Sequence, residues 1–413
     1  MNSLKHHGFY YGSLLYAVLI PFPPKTINIA LIVWVLLSIF GCRRSTLLKN
    51  NFLWILPVFY TTYFIGVFTS ETPSFKFLEY KLSLLVFPLL FFLRVYDEKQ
   101  RSGILKVFVL GLAASVTTCL VMACYNSISI HDGGFLFQPN VLEGKGFMES
   151  ILYGGNFFFG RHLSIFHQTV YFALYLTSGV AVLLFRPKLF PSRHRIALLG
   201  VLTIFIFLVS NKASFIALAF IFGIKIWTWK VKRNKKLIGV SLFVLALLLF
   251  TFFNPRIRES IETITAGKLI LEKEARYGFA TRLLSWDAAL SLIKEKPILG
   301  YGYADAQKEL NKKYEEKGYI FPLKESYNAH NLWLQSWLEN GLLAIVILIG
   351  IFLGLARHFF NNGKLSPLIL SFIVILLLNS LFEGLFNRFS GISFFAFLVS
   401  FIFSESKGGL PKS

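Results

Sequence analysis

Asn328-Ala329-His330-Asn331-Leu332-Trp333-Leu334-Gln335-Ser336-Trp337-Leu338-Glu339-Asn340-Gly341 starts polar and within a few residues leads into the apolar run Leu342-Leu343-Ala344-Ile345-Val346-Ile347-Leu348. An apolar run of this kind reads as a membrane-crossing helix. The stretch therefore places an imidazole and an amide where a long hydrophilic loop re-enters lipid, and ionisable groups there are costly unless they serve a function. From residue type alone His330 is either an interfacial histidine hydrogen-bonded to backbone or a general base that titrates near neutral pH.

The rest of the chain agrees with a membrane setting. Its 413 residues are 55% hydrophobic and 17% aromatic, only 15% are charged, and the mean hydropathy is +0.61. A water-soluble fold of this size does not need that balance. The formal charge of +21 raises the question of nucleic acid. The lysines and arginines, however, cluster in short segments between apolar runs, as the orientation rule for membrane proteins expects, so nucleic acid is not an expected partner. Cys42, Cys119 and Cys124 lie in or beside apolar runs without C-x-x-C spacing, and neither a disulfide framework nor a zinc site is indicated. The first apolar run, Phe9 to Ile20, meets Pro21-Phe22-Pro23-Pro24 rather than a small-residue cleavage site, so it reads as a first spanning helix.

Apolar runs of about 17 to 25 residues give about twelve spans, near 9–23, 27–42, 52–69, 80–95, 104–125, 168–185, 196–210, 213–229, 237–253, 332–356, 366–381 and 389–404. The expected fold is thus an all-α polytopic membrane protein forming a single integral domain. Helices one to nine occupy 1–253 with an outer loop at 126–166, a large loop fills 254–328, and helices ten to twelve occupy 329–413. Alternate connections carry the cations, among them Arg43, Arg44 and Lys49, Arg94 and Arg101, Lys230 to Lys236, and Lys364, which puts both termini on the cytoplasmic side. Both long loops then fall outside. In the second, Leu283, Trp286, Ala289, Leu290 and Ile293 recur at helical spacing, so a helix on or near the membrane surface is expected there, ended by Pro297 and Gly300-Tyr301-Gly302.

Several polar residues stand at outer boundaries. Arg282 offers a guanidinium able to grip a phosphate bidentately, or is a solvated loop arginine. Lys212 separates two apolar spans in Ser210-Asn211-Lys212, where it either snorkels to the interface or meets an anion. Arg161 and His167 lie at the end of the first long loop, with Tyr171 one turn after His167; no third ligand accompanies them, and a metal site is not expected. Glu383 breaks the pattern near the last junction and pairs with Arg388 or with a catalytic cation. Trp333 and Trp337 read as an interfacial aromatic belt.

The spacing from His330-Asn331 to Gly341 resembles the signature of the bacterial O-antigen ligases, and Arg282-x3-Trp286-x2-Ala289 with Pro297-Ile298-Leu299-Gly300-Tyr301-Gly302 is similar to the segment preceding that histidine in the wider ligase and polymerase superfamily. The resemblance implies a membrane glycosyltransferase of the C type with a large helical periplasmic loop, in the bacterial inner membrane. It also implies metal-independent, inverting transfer of a polyprenyl-diphosphate-linked glycan to lipid A-core or another glycan acceptor, among membrane lipids and with no cofactor. On that resemblance His330 activates the acceptor hydroxyl and Arg282 binds the donor diphosphate. Lys212, where the family usually has arginine, joins Arg282 there; from their place at the outer boundaries Arg161 is read as a further donor-binding cation, and His167, Tyr171 and Glu383, with Asn331 and Gly341, as supporting residues. A polymerase of the same superfamily, a protein-directed transferase and, more distantly, a transporter of lipid-linked sugar are the alternatives. Transporters tend to carry repeats and mid-membrane charges, whereas here the notable charges sit at the outer interface and no such repeat is found.

Overall fold

A computed structural model of the chain describes residues 2–41, 51–93, 96–131, 134–141, 144, 146–152, 155–254, 273–275, 278–361 and 366–404. Arg43, Arg44, Lys49, Arg94, Lys364 and the 255–272 part of the large loop lie outside the described residues. Proline punctuates the start of the chain: the first helix, Asn2–Leu19, ends just before Pro21 and the second, Pro24–Gly41, begins on Pro24, because proline cannot donate within a helix yet suits its first turn. A helix lies on every segment read as a span. Glu98–Ser127, Ser192–Val209 and Leu332–Phe360 are long and apolar enough to cross a membrane, and shorter apolar helices include Pro24–Ile39, Thr169–Phe185, Pro367–Phe382 and Phe389–Phe403.

The chain forms two compact units, one built from residues 1–41, 97–262 and 366–378, the other from 42–96, 263–365 and 379–413. In the first, Trp34 is buried against Phe9 and Tyr16, with ring centroids 5.9 and 5.6 Å away. Helix Thr169–Phe185 is buried from Tyr171 through Leu184, consistent with its being apolar on all sides. One departure from the all-helical expectation occurs in the first outer loop. Strands Ile128–His131 and Gly134–Phe137 form an antiparallel hairpin, with Ile128 opposite Phe137 and Ile130 opposite Phe135. Alternating β-branched and aromatic residues around an Asp-Gly pair favour that pairing over helix.

In the second unit the large loop contributes helices Gly278–Glu295, Tyr303–Lys317 and Ile320–Lys324. The first of these turns a different face inward from the one its spacing suggests. Leu284, Ala288, Ala289, Leu292 and Ile293 are buried, whereas Leu290 is 43% exposed. The helix packs on Tyr301, Ala306, Leu310, Tyr314 and Tyr319 of its own loop and on Leu338 of the following helix, so neighbouring side chains select its buried stripe. Gly318, at φ 70°, ends the next helix, where Tyr319 N donates to the Tyr314 carbonyl at 2.8 Å. Asp305 ties the loop to the turn after helix Ile55–Thr69 by accepting from Ser70 Oγ and Glu71 N at 2.6 Å. Burial pushes its carboxyl up, but the hydrogen bonds from Ser70, Thr72 and the backbone outweigh this and hold it at about 2.

Candidate active site

His330 sits in a turn stapled to the start of its helix. Asn328 Oδ1 accepts from His330 N at 2.7 Å, and Gln335 Oε1 accepts from Ala329 N at 2.9 Å. Asn331 Oδ1 caps the helix by accepting from Trp333 N and Leu334 N at 2.9 and 3.1 Å. These bonds hold His330 at φ 43°, a left-handed conformation that costs a non-glycine residue about 1 kcal/mol or more and persists where surrounding contacts over-determine it. The Tyr327 ring meets the imidazole edge-to-face at 5.2 Å.

The imidazole reaches Glu383. Nδ1 of His330 lies 3.3 Å from Oε1 of Glu383; the histidine side chain is 25% exposed and the glutamate 8%. Among the described residues Glu383 pairs with His330 and forms no ion pair with Arg388. Burial pushes the Glu383 carboxyl up, but the His330 hydrogen bond, the charges of His330 and Arg282 and the Gly384 amide together hold it below the ordinary carboxylate range. Burial lowers the pKa of Arg282, near the start of the loop helix, against the charge of Glu383, which raises it. Among the described residues the buried Nε of Arg282 has no hydrogen-bond partner, nor has Nε1 of Trp286 one turn on. A fixed, buried N–H without a partner is expensive, and two near one turn of helix offer donors to an anion.

Gly341 explains the rest of the signature. The helix Leu332–Asn361 is interrupted at Gly341, where φ is 68° and ψ −162°. Into that break docks the backbone of Pro297-Ile298-Leu299-Gly300-Tyr301-Gly302. Tyr301 N donates to Leu338 O and Gly302 N to Glu339 O, both at 2.9 Å, and Leu342 N donates to Ile298 O at 3.1 Å. A β-carbon on Gly341 would collide with the Ile298 carbonyl, and one on Gly300 would stand 2.7 Å from Leu338 O. The glycines are therefore required by backbone contact rather than by chemistry. Trp337 Nε1 donates to Pro297 O at 2.9 Å and Trp333 Nε1 to Ser380 Oγ at 3.0 Å. Both tryptophans thus make specific hydrogen bonds through their indole N–H groups.

His330, Asn331, Gly341, Arg282 and Glu383 belong to the second unit; Lys212, Arg161, His167 and Tyr171 belong to the first. Lys212 opens a helix just after Ser210, which adopts φ 55°, and Asn211 caps that helix through Ser214 N at 2.9 Å. Gly160 N donates to Leu208 O at 2.9 Å, so Arg161 and the Lys212 turn flank one backbone contact. His167 is buried with its ring 5.2 Å from that of Tyr175. Burial drives its pKa down to about 4, against the backbone hydrogen bonding of Phe22 and Ile20. Tyr171 is 1% exposed. These two residues are interior groups of their unit.

Sequence reading passed over three residues around the site. Tyr327 carries no motif. Glu339 and Lys81 are ionisable residues within apolar runs, and that cost in lipid is the signal that marks them.

Residues 196–349 match the family model described as O-antigen ligase. A 157-residue stretch is 29% identical to an uncharacterized protein of Haemophilus influenzae, a match covering 37% of this chain and 39% of that relative. The chain thus aligns with about two fifths of the length of its curated relative. The matched segment carries Lys212, Arg282, His330 and Gly341, and over that segment the chain is similar to the O-antigen ligase family.

Proposed function

We propose that the protein is an O-antigen ligase-like glycosyltransferase of the C type, crossing the bacterial inner membrane about twelve times with both termini cytoplasmic and its site periplasmic. It moves a glycan from polyprenyl diphosphate to lipid A-core. The observation that carries this reading is the Glu383–His330 contact at 3.3 Å, with the charge of Arg282 acting on Glu383 and the buried Nε of that half-buried arginine without a partner among the described residues.

With Nδ1–H directed at Glu383, the other ring nitrogen, Nε2, is left to take a proton from the acceptor hydroxyl. The acceptor oxygen then bonds to the anomeric carbon from the face opposite the diphosphate, inverting it, and the glycosidic bond pair leaves on the phosphate oxygen. Charge grows on that leaving group, so preorganised cations stabilise the transition state more than the bound donor. Arg282 is assigned this role, and Lys212, which stands where the family usually has arginine, and Arg161 also serve the donor. Lysine lacks the planar fork and acts there as a point charge.

The test is lipopolysaccharide profiling of a deletion strain complemented with wild type, His330→Ala or Arg282→Ala. Full-length lipid A-linked glycan restored by His330→Ala would sink the catalytic role. Shortened chains with single-unit caps retained would assign the protein to polymerisation instead.

A further inference from the structure

Lys81 is fully buried, with 0% exposure, although it lies in a largely apolar part of the chain. Its Nζ donates to the carbonyl of Phe386 at 2.7 Å and stands over the rings of Tyr303 and Tyr63, 4.3 and 4.6 Å from their centroids. Glu339 adds a nearby negative charge, and its own Oε1 accepts from Gln335 Nε2 at 2.7 Å. Burying an ammonium among aromatic rings is unfavourable unless charge, ring faces and hydrogen bonds together compensate. Here all three are present.

Each group that compensates Lys81 belongs to an element that builds the site. Phe386 lies in the tight turn that begins at Glu383: Leu385 N donates to Glu383 O at 3.0 Å and Asn387 N to Gly384 O at 2.9 Å. Tyr303 directly follows Gly302, whose amide bonds to the broken helix at Glu339 O. Glu339 precedes the break at Gly341 by two residues. The Glu383 turn also packs against the histidine turn, since a β-carbon on Gly384 would lie 3.4 Å from Asn328 Oδ1. A single ammonium therefore joins the turn carrying Glu383, the docked glycine motif and the half-helix that follows His330.

We infer that Lys81 is a positioning residue for the transfer reaction, setting the place of the Glu383 carboxylate against His330 through the carbonyl of Phe386. The inference rests on the proposed role of the His330–Glu383 pair. It assigns Lys81 no contact with substrate, so its effect falls on turnover rather than on donor binding. It also predicts that Lys81 acts only through Glu383, and residues acting as one unit give non-additive losses.

The experiment uses the purified full-length protein in detergent, with polyprenyl-diphosphate-linked glycan as donor and lipid A-core as acceptor. Lys81→Met, Glu383→Gln and the double variant are compared, with Lys81→Gln as a neutral donor that can still reach the Phe386 carbonyl. Lys81→Met should lower kcat about tenfold with donor KM within about twofold, and Lys81→Gln should recover part of the loss. The double variant should match Glu383→Gln alone. Wild-type kcat for Lys81→Met while Glu383→Gln is impaired would overturn the positioning role, as would losses that multiply in the double variant. Full activity of Glu383→Gln would instead overturn the catalytic reading beneath it. If Lys81→Met fails to fold, Lys81→Gln alone and combined with Glu383→Gln supplies the same cycle.

Discussion

His330 Nδ1 faces Glu383 Oε1 at 3.3 Å across 53 residues of sequence. The distance is at the long end of hydrogen-bond geometry, and catalytic contacts of this kind shorten once substrate is bound. Because Glu383 is held below the usual carboxylate range by His330, Arg282 and Gly384, it is an anion throughout the neutral range and presents the imidazole in one tautomer.

Glu383→Gln keeps the shape and removes that charge. Turnover should fall by about 10- to 100-fold, while His330→Ala should lose about 10²- to 10⁴-fold, the usual share of a general base. Initial rates with purified protein decide it; equal activity of Glu383→Gln and wild type would show that the carboxylate has no part in orienting the base.

Arg282 should not tolerate lysine. The half-buried guanidinium, whose buried Nε has no partner among the described residues, offers a planar fork that an ammonium cannot reproduce. Arg282→Lys is expected to reduce kcat/KM for the lipid-linked donor by about 10-fold or more, and competition by inorganic diphosphate should weaken in parallel. Unchanged kinetics in this variant would remove Arg282 from donor binding.

Substituting Gly341 should harm the fold before it harms the chemistry. Alanine there must adopt φ 68° and place its β-carbon against the Ile298 carbonyl and 2.7 Å from Leu299 N. We expect a loss of about 2 kcal/mol or more from strain and overpacking, seen as a lower thermal midpoint in detergent. Gly223, where a β-carbon meets open space, is the control that should stay stable as alanine.

Stability should depend on pH through His167. In the folded chain this side chain stays neutral down to about 4, whereas its ordinary value is 6.5. The unfolded chain therefore binds more protons between those values, and stability must fall as pH drops from about 6.5 toward about 4, by up to roughly 3 kcal/mol. His167→Phe removes the titrating group, so its thermal midpoint should vary less over that interval than the wild-type midpoint. Parallel pH curves for the two proteins would contradict the buried, neutral histidine.

The sequence by itself determined the helical, apolar character of the chain. Hydropathy and proline placement are local properties, and helices duly lie on every segment read as a span. It also marked His330, Arg282 and Gly341, because an ionisable residue at a lipid boundary or a glycine at fixed spacing stands out without reference to partners. Tertiary structure decided what those residues touch. The partner of Glu383 was open between Arg388 and a catalytic cation until packing brought His330 to it. The buried face of the loop helix shifted because Tyr301, Leu310, Tyr314 and Leu338, far along the chain, select it. Lys81 carried no motif, yet long-range packing seats its ammonium on the Phe386 carbonyl. In each case the deciding energy is a contact between distant residues, and no local pattern encodes which distant residue will be there.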